Sequence, residues 1–328
     1  MNSEPSCILF KGLGGAGQRH LRLLREKFPK TKMIGLRKTR KTPLLNGDFS
    51  INQTESLDKK YNIEIFSDPF EAYSHNPDLT IISTPSIFHS SDIIEAANYK
   101  SNIIVEKPGA MDSFEAKKIE KAVLKNDVEL LISYQRRFHP LINELRNSLS
   151  QKLVGTIRNV NAITNSYVPD WHPYENFLDL YACRSDLGGG VISTEIHEID
   201  LITWIFGESD KISVTRSNTS GYELDVEDTA TIKIEYHNLD VIIDLCFMSK
   251  NLKRSIYFYG DNGEIHLDFI NQVLKTKIYD AEETIVEKVL SNDEMFKNQI
   301  NFFFQSEKYN RIEYIKTLKR NSRIIENR

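Results

Sequence analysis

The sequence predicts an α/β protein in two parts. The first is a doubly wound parallel sheet, and the second is an α+β domain with a large, mainly antiparallel open sheet. Two observations carry this. Up to about residue 135, short apolar strands alternate with helical segments six times, the pattern of a parallel sheet covered on both faces. From Val154 on the strands lengthen, and apolar residues fall at every second position in Ala230, Ile232, Ile234 and Tyr236 and again in Val241, Ile243, Leu245 and Phe247. That period belongs to a sheet buried on one face. Domains are therefore expected over 1–135 and 136–328.

Taken in order, the first strand spans Cys7 to Lys11 and enters Gly12-Leu13-Gly14-Gly15-Ala16-Gly17, followed by a helical pattern. Gly12, Gly14 and Gly17 thus form Gly-x-Gly-x-x-Gly between a strand and a helix. In that setting the first glycine makes the turn, the second lets a pyrophosphate reach the backbone, and the third packs helix on strand. The helix N-terminus offers free N–H groups to phosphate. Gly12, Gly14, Gly15, Ala16 and Gly17 are assigned to dinucleotide binding; the alternative is a Gly-rich turn in another α/β fold.

The second strand, 32–36, ends in Arg37-Lys38-Thr39-Arg40-Lys41, where an NAD-binding unit usually carries an acid for the ribose hydroxyls. Arginine and lysine would instead pair with a 2′-phosphate. NADP(H) is expected in preference to NAD(H), read by Arg37, Lys38 and Thr39, and a solvated basic loop is the alternative. Residues 42–62 are polar and read as a surface excursion. A weak third strand over 63–66 precedes a helix opened by Asp68-Pro69. A fourth strand over 79–83 enters Thr84-Pro85-Ser86-Ile87-Phe88-His89, a loop expected to line the cofactor crevice with Thr84, Pro85 and His89.

A helix over 91–98 leads to Ile103, Ile104 and Val105, a β-branched run buried on both faces. Glu106, Lys107 and Pro108 follow. Two charges at the end of a buried strand are costly without a purpose, and ligands of open α/β sheets lie outside such ends. Glu106, Lys107 and Pro108 are placed at the cofactor, with Lys107 the first candidate for chemistry. A strand-end ion pair with a turn proline is the alternative. Asp112 or Ser113 caps the next helix, to about Asn126, and the sixth strand spans 129–133. Arg136, Arg137 and His139 follow it. They would suit an anionic group, a carboxylate or nucleotide-sugar phosphate, or equally serve as hinge arginines.

In the second half, a strand over 155–162 leads to a loop containing Trp171, His172 and Tyr174. These suit a sugar, since aromatic faces stack on C–H surfaces and histidine reaches hydroxyls; a packed loop is the alternative. Gly188-Gly189-Gly190 precedes a helix read as continuous from about Val191 to Phe206. Strands are expected near 211–217, 227–236, 240–249, 254–260, 263–269 and 273–279, with a hairpin turn at Asp261-Asn262-Gly263. Apolar positions on an open sheet face often pair subunits. Asp293 to Arg328 reads as one or two helices with Phe302, Phe303, Tyr309, Ile312, Ile315 and Leu318 inward.

Composition narrows the function. The 328 residues carry a formal net charge of −4, with no basic excess to attract nucleic acid. Three widely spaced cysteines fit reduced thiols in a cytoplasm, with no disulfide framework or zinc cluster. The N-terminus lacks a signal-peptide pattern, and no apolar run approaches the ~20 residues of a membrane span.

Together these pieces resemble the Gfo/Idh/MocA family of NAD(P)-dependent sugar oxidoreductases. The matching marks are Gly12-x-Gly14-x-x-Gly17, Thr84-Pro85 through His89, Glu106-Lys107-Pro108, and Gly188-Gly189-Gly190 followed by His197-Glu198-Ile199-Asp200. The resemblance implies a Rossmann domain, an open-sheet domain that forms dimers or tetramers, and a cis peptide before Pro108. The segment Trp171-His172-Pro173-Tyr174 with Gly188 to Asp200 looks like the branch linked to bacterial surface sugars, with nucleotide or acidic sugars as substrates. One departure matters: many family dehydrogenases have an aspartate four residues before the catalytic histidine, where this chain has Ser193.

The chemistry expected is hydride transfer at a carbinol carbon, with a side chain to move the hydroxyl proton. His197 is assigned as acid/base and Lys107 as the group that polarises the hydroxyl. The reverse assignment requires burial and a nearby cation to lower the lysine pKa. Asp200, three residues past His197, would share its helix face and hydrogen-bond to it, close enough to meet substrate; Glu195 would face elsewhere. The rival readings are a non-catalytic cofactor-binding regulator and a glycoside hydrolase that retains NAD.

Overall fold

The computed structural model describes residues 4–37 and 42–327. The first sheet contains Cys7–Lys11 (β1), Lys32–Leu36 (β2), Glu64–Phe66 (β3), Leu79–Ile82 (β4), Asn102–Val105 (β5) and Leu130–Ile132 (β6). Their order is β3-β2-β1-β4-β5-β6, and every neighbouring pair is parallel. Ile8, Leu9, Phe10, Ile103, Ile104 and Val105 are wholly buried, as unbroken apolar runs in a doubly covered sheet should be. The covering helices are Gly15–Lys27 (α1), Leu57–Tyr61 (α2), Pro69–Ser74 (α3), His89–Asn98 (α4) and Ser113–Asn126 (α5). Asp68 and Asp112 cap α3 and α5 through their carboxylates, which satisfies backbone N–H groups that the first turn leaves free. Strand order reverses between β1 and β4, which opens a crevice at their carboxyl ends.

The excursion over 42–62 is more than surface. Leu44, Leu45, Leu57 and Tyr61 are buried, and the Gln18 side chain bonds Leu13 O, Pro43 O and Leu45 N. Its polar composition concealed four core anchors spaced too irregularly to show a period.

The second part contains Pro140–Ser150 (α6), Ile157–Tyr167 (β7), Val191–Thr194 (α7) and His197–Phe206 (α8). Lys211–Ser217 (β8), Thr229–Tyr236 (β9), Leu239–Cys246 (β10), Met248–Gly260 (β11), Gly263–Asp268 (β12), Val273–Ile278 (β13) and Thr284–Glu287 (β14) follow. The eight strands run β14-β13-β12-β11-β7-β10-β9-β8, antiparallel except for β7 beside β10. Val160, Ile232, Ile243, Phe258 and Leu267 are buried on the inner face, while Asn161, Ile163, Tyr257, Tyr259 and His266 are partly exposed on the other. β14, a short exposed edge strand, has no apolar alternation strong enough to read from sequence.

Two helices, Asn292–Gln305 (α9) and Arg311–Glu326 (α10), return to the first sheet. Tyr309 Oη donates to Leu130 O at 2.8 Å, and Arg22 on α1 bonds Asp293 at 2.7 Å. Phe303, Ile315 and Leu318 are buried as expected. Ile312 is 41% exposed instead, because the buried stripe of α10 begins at Tyr314.

A buried ion pair joins the parts. Arg137, in the turn after β6, donates from Nε and Nη2 to the two oxygens of Asp200 on α8, at 2.7 and 2.6 Å. From α10, Thr317 Oγ1 accepts from the same guanidinium at 3.0 Å and Asn321 donates to Asp200 at 3.2 Å. The Trp204 ring lies 4.7 Å from the guanidinium. Breaking one half of such a pair leaves a charge stranded. Arg137→Met is expected to cost about 3–5 kcal/mol in urea unfolding, and the double change Arg137→Met with Asp200→Leu to recover much of it. A loss in the single variant below about 1 kcal/mol would refute the role given to the pair.

Candidate active site

The Gly-rich turn forms as its spacing requires. Gly12 has φ 95° and follows β1, and Gly14 caps α1. A Cβ on Gly17 would stand 2.3 Å from Gly12 O, so helix and strand are in backbone contact. A Cβ on Gly14 would meet nothing within 4 Å. The open backbone at Gly14, at the head of a 13-residue helix, is the cradle a pyrophosphate needs, so the residues present fit a dinucleotide. Ser83, after β4, closes the crevice by donating to Gly12 O at 2.9 Å.

The loops after β4 and β5 are tied to each other. His89 contacts Pro108 O at 2.6 Å and Thr84 O at 2.7 Å, and Thr84 Oγ1 donates to Asp92 at 2.6 Å. Both His89 nitrogens are therefore engaged, and it shapes the crevice through the carbonyls it holds. The Lys107–Pro108 peptide is cis. Glu106 contacts His20 of α1 at 2.8 Å. Burial opposes its charge, but His20, Lys107 and Arg19 outweigh burial and lower its pKa.

Lys107 Nζ donates to Thr194 O at 2.6 Å and to Tyr181 Oη at 3.1 Å. The condition for a basic role, a lowered lysine pKa, is not met. Burial acts to lower it, but Tyr181, Glu106 and Glu195 outweigh burial and raise it above the ordinary 10.5. Lys107 is an ammonium donor.

The helix expected over 191–206 is broken. α7 stops at Thr194, and α8 starts at His197. The break leaves Thr194 O at a helix end, open to Lys107, and turns Glu195 inward. Glu195 accepts from Ser166 Oγ at 2.5 Å and pairs with Arg254 of β11. Burial opposes its charge, yet Arg254 and Ser166 hold its pKa below the ordinary value. Arg254 also reaches Glu198 at 3.5 Å. The expected His197–Asp200 hydrogen bond is absent, because both Asp200 oxygens face Arg137; Asp200, 1% exposed, is not placed to meet substrate.

His197 is 5% exposed, and its Nδ1 has no hydrogen-bond partner among the described residues. Burial first, then Arg136, Lys107 and Arg254, push its pKa well below 6.5, so the ring is neutral at physiological pH. Ser193 does not substitute for the family aspartate; its hydroxyl contacts the carbonyls of Gly188, Gly189 and Gly190 at 3.0–3.1 Å.

His172 and Tyr174 stack at 5.0 Å, with Phe49 at 5.6 Å from His172. Phe49 and the Tyr174 hydroxyl cover Gly15, so this pair meets the Gly-rich turn. Trp171 is partly buried against the core. Arg37 Nη2 donates to Leu13 O and Thr42 O, both at 3.0 Å, which ties the end of β2 to the excursion; Lys38 and Thr39 lie outside the described residues. Tyr181 and Glu195, which act on Lys107, and Arg254, which pairs with Glu195, were missed. Arg254 alone left a trace, a charge at an inward position of an alternating strand.

The profile of the oxidoreductase family with an NAD-binding Rossmann fold matches residues 7–134, and that of the GFO/IDH/MocA C-terminal domain matches 142–266. The chain belongs to the Gfo/Idh/MocA oxidoreductase family. The uncharacterized oxidoreductase YrbE of Bacillus subtilis is 25% identical over 264 residues, 78% of this chain and 72% of that one. Trans-1,2-dihydrobenzene-1,2-diol dehydrogenase of Xenopus laevis is 24% identical over 189 residues, 57% of this chain and about half (54%) of that enzyme's length. Levoglucosan dehydrogenase in complex with NADH and levoglucosan superposes with a TM-score of 0.77 at 15% identity, covering 98% of this chain and 96% of the other. The WlbA dehydrogenase of Bordetella pertussis, in complex with NADH and UDP-GlcNAcA, has a TM-score of 0.74 at 16% identity, covering 97% and 94%. At such identities these two likenesses show the shared fold.

The open space at Gly14 gives a direct test of the cradle. Gly14→Ala is expected to leave the thermal midpoint within about a degree, since the methyl meets no atom. It should weaken NADH binding, measured by calorimetry, at least about tenfold by filling the approach to the backbone. Unchanged affinity would place the pyrophosphate elsewhere.

Proposed function

We propose that the protein is a dissociable-cofactor oxidoreductase, NADP(H) preferred, that moves a hydride to or from a CH–OH group of a sugar or sugar derivative, including nucleotide or acidic sugars of surface-polysaccharide synthesis. The observation that carries it is a juxtaposition: Lys107, in the loop after β5, is held by Tyr181 and by Thr194 O, three residues before His197, which opens α8 with its Nδ1 unpartnered among the described residues. The lysine pKa is raised and the histidine pKa lowered. When bound, the nicotinamide dinucleotide supplies or accepts the hydride. His197 takes the hydroxyl proton during oxidation and returns it during reduction. Lys107 donates a hydrogen bond to the substrate oxygen and stabilises the negative charge that grows there. Trp171, His172 and Tyr174 bear on the sugar, with His172 and Tyr174 beside the cofactor turn.

NADP(H) preference rests on the basic run from Arg37 to Lys41, although one Arg37 nitrogen is already engaged by backbone. Subunits would pair as dimers or tetramers through the half-exposed Ile163, Tyr257, Tyr259 and His266 of the open sheet. Among the described residues no helix is long and apolar enough to cross a membrane, and Cys7, Cys183 and Cys246 are free thiols, which suits the cytoplasm.

Nicotinamide fluorescence with NADP(H) and NAD(H), against a panel of sugars and nucleotide sugars, tests the reading. Tighter NADP(H) binding with substrate-dependent change in the reduced signal is expected; equal affinity would remove the preference, and binding without turnover on any substrate would favour a regulator.

The pH dependence follows from His197. Its pKa is lowered, so the neutral base persists on acidification, and kcat/KM for oxidation should stay level through neutrality and fall only well below pH 6.5. His197→Asn should lower kcat by about 10²–10⁴ and abolish that acid limb. Retention of the limb would assign it to another group.

A further inference from the structure

We propose that the substrate carries a carboxylate-type negative charge, bound by Arg136. This rests on the crevice being the substrate site of the proposed oxidoreductase, and it names the class of substrate that site accepts.

The groups acting on the charge around His197 and Arg136 are three cations, Lys107, Arg136 and Arg254, and two carboxylates, Glu195 and Glu198. Both carboxylates belong to Arg254. Lys107 is held by Tyr181 and Thr194 O, and nearby Glu106 has His20. Arg136 has no ion pair and no side-chain hydrogen bond among the described residues, and its Nε is buried without a partner. Its guanidinium lies 5.0 Å from the Phe269 ring centre, a contact that orients a cation without neutralising it. The adjacent Arg137 supplies the contrast, because Asp200 and Thr317 engage it on the same turn. Of the two hinge arginines, Arg136 is the one left open to a ligand.

Lys107 has Glu106 as a nearby carboxylate and Arg254 has Glu195 and Glu198, so of the three cations Arg136 is the one whose side chain has no hydrogen-bond or ion-pair partner among the described residues. A half-buried guanidinium whose Nε is buried without a hydrogen-bond partner is costly to leave unpaired. A carboxylate supplies that missing partner and matches the planar fork of arginine. Burial and then Arg254 push the Arg136 pKa down to about 10, which agrees with a cation lacking its anion.

The test uses charge-matched probes. D-Glucuronate against D-glucuronamide, and UDP-glucuronate against UDP-glucose, are titrated calorimetrically into the whole protein with and without NADH, with glucose 6-phosphate as a further arm. In at least one pair the acid is expected to bind about tenfold tighter than its neutral partner. Arg136→Met should abolish the difference, and Arg136→Lys should keep part of it. The thermal midpoint of ligand-free Arg136→Met should equal or exceed wild type, since an uncompensated charge is removed. No acid preference in either pair, or a preference that survives Arg136→Met, overturns the proposal. Tighter binding of glucose 6-phosphate than of glucuronate, dependent on Arg136, overturns the carboxylate assignment. An Arg136-dependent acid preference without NADH binding would refute the oxidoreductase reading and keep this one. NADH binding without acid preference would do the reverse.

Discussion

The Arg137–Asp200 pair is the constraint on which the site depends. It joins the turn leaving the parallel sheet, the helix that begins with His197, and the C-terminal helix that returns to the first sheet. The guanidinium is boxed by Tyr134, Trp204 and Tyr314 rings, so it cannot recover its charge balance from water. Asp200 lies one helical turn from His197, and fixing the first fixes the height of the second above the sheet. The pair also takes Asp200 out of reach of His197, so the residue that looked like the histidine's partner is its anchor.

Once that anchor is set, the break between α7 and α8 defines the electrostatics. A continuous helix would have enclosed the Thr194 carbonyl and pointed Glu195 away. The break presents both toward Lys107, directly as a hydrogen-bond acceptor and at longer range as a charge. The lysine is thereby kept protonated, and beside burial it joins Arg136 and Arg254 in keeping His197 neutral. Lys107 thus helps set the protonation of His197, while Lys107 itself answers to Tyr181, Glu106 and Glu195.

Much of this was legible in the sequence because it depends on local rules. The alternation of buried runs predicted the parallel sheet, the Asp68 and Asp112 caps marked helix starts, and Gly-x-Gly-x-x-Gly stood between strand and helix as its mechanism demands. What failed was long-range. Arg254 is 59 residues from Glu195 and Tyr181 is 74 from Lys107, so neither pairing leaves a periodic mark. The helix break was hidden because Val191 to Phe206 has an apolar pattern that either a continuous or an interrupted helix satisfies. His89 illustrates a third case: a polar residue in a crevice loop reads as a ligand-binding group, yet both of its nitrogens hold backbone.

The departure at Ser193 now has a physical reading. A carboxylate near the catalytic histidine would orient one nitrogen and favour the imidazolium. Here burial, and then three cations, keep the imidazole neutral, and the Ser193 hydroxyl lies against three carbonyls of the Gly188–Gly190 turn, where an aspartate would meet only like partial charge. Of these cations, Arg136 is the one whose side chain has no hydrogen-bond or ion-pair partner among the described residues. The proposed substrate carboxylate would stand against these same cations, so that the negative charge which the family resemblance places in the helix would in this chain arrive with the ligand.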